Sequence, residues 1–152
     1  MKNKIKVGDR GPTFKLLDQD GREVDLADRI GKGAVVLYFY PKDFTTGCTM
    51  EAHEFRDMHE ELQRRGADVI GVSNDDVASH RRFADENALP FTLLSDTDNK
   101  ARDLYGAWNA IGMPDRVTYL IDRESIVRMV FSSQMQPRKH ASEALRMLDK
   151  IA

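Results

Sequence analysis

The chain has 152 residues, 41% apolar and 32% charged, with a net charge of −2. That length is enough to bury a core and reads as one domain, residues 1–152. The charge balance offers nucleic acid no basic face, and no apolar run is as long as a membrane span.

One cysteine leaves no intrachain disulfide, no Cys-x-x-Cys pair and no multi-cysteine zinc site. The opening Met1–Lys6 is basic but has no apolar stretch behind it, so it does not read as a secretory signal. A cytoplasmic location is the resulting expectation.

In chain order, Phe14–Leu17 and Arg22–Asp25 read as short extended pieces around an Asp20-Gly21 turn. Leu26–Ile30 suggests one helical turn. Ala34–Phe39 is a continuous apolar run, the mark of a buried strand. A helix follows to about Arg65, with Phe55, Met58 and Leu62 on one face and Gly66 as its stop. Asp68–Ser73 is a second buried strand. The residues after it cap a helix carrying Val77, Phe83 and Ala84. Phe91–Leu94 reads as a third strand, and a short helix closes at Gly106. Val117–Ile121 and Ile126–Phe131 form a hairpin around Asp122–Ser125. Pro137 opens a last helix with a stripe of Ala141, Ala144, Leu145, Leu148 and Ile151. Strands alternating with helices and ending in a hairpin predict a three-layer α/β fold with a mixed sheet.

The chemistry-prone stretch is Tyr40-Pro41-Lys42-Asp43-Phe44-Thr45-Thr46-Gly47-Cys48-Thr49. It joins a buried strand to a helix and places the lone cysteine in the first helical turn. Unpaired N–H groups and the helix dipole there favour a thiolate, the reactive form. A lone cysteine is often only a small buried hydrophobe. Against that stand the preceding Gly turn, Thr45 and Thr46 within one turn, and Glu51 one turn further on.

This run resembles the active-site loop of peroxiredoxins, with Pro-x-x-x-Thr-x-x-Cys spacing at Pro41, Thr45 and Cys48. Its flanks look most like the bacterioferritin-comigratory-protein (PrxQ) branch. The resemblance covers nearly the whole chain. It implies a thioredoxin-like fold, a mixed β-sheet flanked by helices, with an N-terminal β-hairpin extension.

It also implies a peroxidase in which Cys48 attacks hydrogen peroxide or an organic hydroperoxide and becomes a sulfenic acid. Thr45, the backbone near Gly47 and Arg116 would hold the peroxide. Arg116 matches the family's Arg before a Thr-Tyr-Leu-Ile-Asp strand. Pro41 would shield the sulfur, and Glu51 would orient Arg116. A bare carboxylate beside a thiolate would oppose its formation, so Glu51 helps only by positioning Arg.

The chain departs from many relatives at two positions. His53 stands where they carry a resolving cysteine, and Thr46 where they often have Pro. The resemblance therefore implies a one-cysteine cycle. An external thiol would reduce the sulfenate: thioredoxin, a glutaredoxin-type protein or a low-molecular-weight thiol. No metal or prosthetic group is expected. His53 and His59 lack metal-pair spacing, and His80 and His140 read as lying elsewhere. Asp75-Asp76 and Asp96/Asp98 read as helix caps. A monomer or homodimer is expected, because the C-terminal extension of decameric relatives is missing. The rival readings are a peroxide sensor or binding protein that signals through sulfenylated Cys48, a disulfide oxidoreductase, and an inert relative.

Overall fold

The computed structural model describes residues 4–151, so the opening Met1–Asn3 lies outside the described residues. The strands are β1 Lys15–Asp18, β2 Glu23–Asp25, β3 Ala34–Phe39, β4 Ala67–Ser73, β5 Thr92–Ser95, β6 Val117–Ile121 and β7 Val127–Ser132. The helices are α1 Leu26–Ile30, α2 Thr46–Arg64, α3 Val77–Glu86, α4 Lys100–Tyr105 and α5 Lys139–Ile151. The strands form one mixed sheet in the order β2-β1-β5-β4-β3-β6-β7. The expected N-terminal hairpin is thus the sheet's own edge, because β1 pairs antiparallel with β5.

Alternation along β3 divides the core. Val36, Tyr38 and Tyr40 face α2, α3 and α5, alongside Phe55, Phe83, Ala141 and Leu148. Val35, Leu37 and Phe39 face α1 and α4, alongside Leu26, Ile30 and Tyr105. A strand buried on both sides has no polar face to show, which is why β3 reads as an unbroken apolar run. Tyr38 stacks on Phe55 with centroids 4.4 Å apart, an aromatic pair that adds about 1 kcal/mol beyond burial.

The helix ends follow local chemistry. Asp25 caps α1 and Asp76 caps α3 through side-chain oxygens. Gly66, at φ 79°, reverses the chain after α2 in the left-handed region where a side chain is strained. The last helix begins at Lys139, not at Pro137, and Ile151 ends its apolar stripe exposed.

The acidic residues expected as caps divide. Asp75 accepts from the Asp43 N–H and from Ser73 instead of capping α3. Asp96 does satisfy the start of α4, accepting from the first-turn N–H groups of Ala101 and Arg102, while Asn99, in the left-handed conformation, holds the position before the helix.

Sheet direction positions the site. β3 runs parallel to β4 but antiparallel to β6, with Phe39 opposite Val117. The end of β3 therefore meets the start of β6. The loop leaving β3 and the residue preceding β6 are brought together although they lie far apart in sequence.

Candidate active site

Thr45 occupies the N-cap of α2 with extended backbone, yet its side chain makes no cap bond. Its hydroxyl donates instead to the Lys42 carbonyl at 2.9 Å. Its oxygen lone pairs remain open, and so does the helix N-terminus. Cys48 lies in the first turn of α2, 1% exposed and within the core. Pro41 is half-buried on the loop that leads to it.

Arg116 enters from the sheet side, 4% exposed. Its Nη1 donates to Glu51 Oε1 at 2.7 Å. Its other end passes over Gly47, where a Cβ would lie 2.9 Å from Nη2. A side chain at 47 would therefore push the guanidinium aside. Burial works against the Arg116 charge, but Glu51 and Cys48 outweigh it and hold its pKa above the ordinary arginine value. Glu51 is fully buried, not an exposed first-turn carboxylate. Burial pushes it up to about 8, against the opposing pull of Arg116.

The structure thus gathers Cys48, Gly47, Glu51 and Arg116 around one point, with Thr45 and Pro41 on the loop in front. A cation and unpaired N–H donors converging on a sulfur suit a charged nucleophile and an oxygen that gains negative charge.

Several residues in this assembly have no mark in the sequence. Arg102 is buried and donates to three carbonyls, those of Ala107, Asp115 and Tyr40. Burial lowers its pKa to about 10, which leaves it charged at neutral pH. It ties the start of the cysteine loop to the residue before Arg116. Asp43, also buried, accepts from the Tyr40 hydroxyl at 2.6 Å and the Ser79 hydroxyl at 2.8 Å. His80 Nδ1 lies 2.7 Å from it, so the loop is clamped to α3. Phe44 consequently takes a left-handed φ of 65° and packs edge-on against Phe83.

The expectation that His140 lies away from the site is corrected. The start of α5 packs beside α2, and His140 Nδ1 comes within 3.4 Å of Glu51 Oε2. Sequence spacing carried no signal for it, since the contact joins two helices through the fold.

His53, at the position of the resolving cysteine in relatives, bonds Asn87 at 2.8 Å and joins α2 to the end of α3. A surface hollow of about 770 Å³, lined by Lys32, Arg65, Arg123 and Arg128 among others, lies at the opposite end of β3 from Cys48.

Comparison with known proteins agrees with this geometry. Residues 7–130 match the AhpC/TSA family. The chain is 46% identical to chloroplastic peroxiredoxin Q of Suaeda salsa, over 97% of this chain and 70% of that protein. It is also 46% identical to chloroplastic peroxiredoxin Q of Arabidopsis thaliana, over 95% and 68% respectively. The structure superposes on peroxidoxin BcpB of Mycobacterium tuberculosis with a TM-score of 0.91 at 36% identity, covering 97% of this chain and 99% of that one.

The chloroplastic names of these relatives overturn the cytoplasmic expectation. Composition and cysteine count do not distinguish a plastid from the cytosol, because both hold folded domains with free thiols. The chain belongs to the AhpC/TSA family, in its peroxiredoxin Q branch, and is a thiol-dependent peroxidase with a single cysteine.

Proposed function

We propose that Cys48 is the peroxide-reactive nucleophile and that Arg116, Thr45, Pro41 and Glu51 form its site. The Cys48 thiolate attacks one oxygen of ROOH and the O–O bond breaks. Sulfur is oxidised to the sulfenic acid, and RO⁻ takes one proton to leave as ROH, which is water when R is hydrogen. The leaving oxygen gains charge as the bond lengthens. Arg116 and the open N–H groups of α2 are the donors placed for it. The Thr45 oxygen accepts a hydrogen bond from the peroxide proton, and Pro41 keeps water off the sulfur.

With no second cysteine in the chain, an external thiol R′SH attacks the sulfenate, forming Cys48–S–SR′ and water. A second thiol then releases Cys48 as the thiol and carries away the disulfide. That thiol is a thioredoxin, a glutaredoxin-type protein or a small thiol, and the unit that turns over is a monomer or homodimer of this one domain.

The observation that carries this reading is the Arg116 guanidinium lying across Gly47 at the open end of the helix that holds Cys48. Rapid mixing of reduced protein with less than one equivalent of hydrogen peroxide, followed by intact mass, tests it. The reading expects stoichiometric gain of one oxygen atom on Cys48, far faster than a free thiol reacts. Oxidation at free-thiol speed would overturn it.

A further inference from the structure

The ladder between β3 and β6 ends one residue short of the site. Its last pair is Phe39 opposite Val117. Tyr40 and Arg116 come next, and after Tyr40 stands Pro41, which has no N–H to offer. Backbone pairing between the two strands therefore stops where the cysteine loop and Arg116 must be held at a fixed separation.

A side chain spans that gap. Arg102, in α4, is 1% exposed. Its Nη2 donates to the Tyr40 carbonyl at 2.7 Å. Its Nη1 donates to the Asp115 carbonyl at 2.9 Å and to the Ala107 carbonyl at 2.8 Å. The Tyr40 carbonyl belongs to the peptide that begins Pro41, and the Asp115 carbonyl to the peptide that begins Arg116. A guanidinium is planar and its donors keep a fixed spacing, so one side chain sets these two peptides relative to each other.

The guanidinium is itself held in place. Its carbon lies 5.4 Å from the centre of the Phe39 ring and 5.7 Å from that of Trp108. Asp96 fixes the Arg102 backbone by accepting its N–H at 2.9 Å. A buried cation whose acceptors are carbonyls and not carboxylates is a costly brace for a fold. It stands where geometry matters most to rate, since a displacement of about 1 Å between reacting groups costs roughly a hundredfold.

We propose that Arg102 is a positioning residue of the peroxide reaction, carrying the β3–β6 register past its last backbone pair so that the Cys48 loop and Arg116 meet at one separation. It acts through Arg116 and the loop, not on the sulfur itself. The inference rests on the reading of Arg116 as the donor to the peroxide.

The test is a double-mutant cycle on the rate at which reduced protein reacts with hydrogen peroxide, with urea unfolding measured on the same variants. Arg102→Lys keeps the charge and most of the volume, so it keeps the fold, but an ammonium has no coplanar pair of donors. It should slow the reaction about tenfold, and Arg102→Met should slow it further. In the Arg116→Ala background there is no guanidinium left to place. Each substitution should then slow the reaction by less than about twofold, while the urea midpoint falls equally in both backgrounds.

Arg102→Lys at the wild-type rate overturns the inference. So does an equal slowing in both backgrounds, which is what a brace that merely keeps the domain folded would give. If Arg102→Met does not fold, the Arg102→Lys cycle decides alone. Arg116→Ala at the wild-type rate removes the reading on which the inference rests. A slow Arg116→Ala with equal losses in both backgrounds removes the inference alone.

Discussion

Two buried carboxylate–histidine pairs flank Cys48, and they are built to opposite ends. Asp43, on the loop, is supplied with donors. The Tyr40 and Ser79 hydroxyls donate to its oxygens, His80 Nδ1 lies 2.7 Å from one of them, and its own N–H is held by Asp75. Glu51, on the helix, has one donor, Arg116, and a histidine whose near nitrogen already accepts from Thr118. A carboxyl and a histidine thus make a clamp in one place and, in the other, a buried carboxyl whose pKa is raised to about 8. Donor count decides the difference, because a buried carboxylate is stable as an ion only when its lone pairs are filled. The clamp fixes where the cysteine loop lies, and Glu51 fixes where the Arg116 guanidinium lies.

The largest effects come from the reacting groups both pairs serve. Cys48→Ser is expected to abolish peroxide reduction in a thiol-coupled turnover assay. Arg116→Ala is expected to slow the single-turnover reaction by about 100-fold or more, the scale seen when one preorganised donor to a developing oxyanion is removed.

Breaking the clamp should register as stability. Asp43→Ala leaves the Tyr40 and Ser79 hydroxyls without their shared acceptor and His80 without its buried neighbour. It is expected to lower unfolding free energy by about 3 kcal/mol, measured by urea titration. Gly47→Ala acts on geometry alone. Its Cβ displaces the guanidinium, so the peroxide reaction should slow by about tenfold while the urea midpoint barely moves.

The acid has the smallest effect and the most diagnostic. Glu51 binds its proton more tightly folded, at about 8, than at the ordinary 4.5, so its contribution to stability is whole below 4.5 and is lost as pH rises to 8. His140, lowered from 6.5 to about 4, contributes fully above 6.5 and loses that contribution as pH falls toward 4. Between 6.5 and 8 only Glu51 of the two changes. Unfolding free energy should then fall by roughly 1 kcal/mol per pH unit, and Glu51→Gln should flatten the slope. A slope unchanged in that variant would show that Glu51 is ionised throughout, and the contrast between the two pairs would disappear.

Most of the element order was legible because its signals are local. An unbroken apolar run marks a strand buried on both faces, Gly66 ends a helix by its left-handed backbone, and the polar residues after β4 supply the Asp76 cap of α3. The spacing of Pro41, Thr45 and Cys48 is local too, since one loop and one helical turn hold all three. Arg116 was reachable only through the resemblance of the strand it precedes. Its place beside Gly47 depends on β6 running antiparallel to β3, a pairing that no short window of sequence encodes.

His140, Arg102, Asp43 and His80 lay beyond sequence reading for the same reason. The clamp spans 37 positions between Asp43 and His80, and the contact of Glu51 with His140 exists only because α5 packs on α2. By itself the sequence determined that there is one cysteine, the helix that presents it and the need for an outside thiol, all consequences of adjacent residues and one cysteine. Only the tertiary structure decided which carboxylate is filled with donors and which is left short. Burial and hydrogen-bond supply are properties of neighbours in space, and those two quantities set the charge on each group.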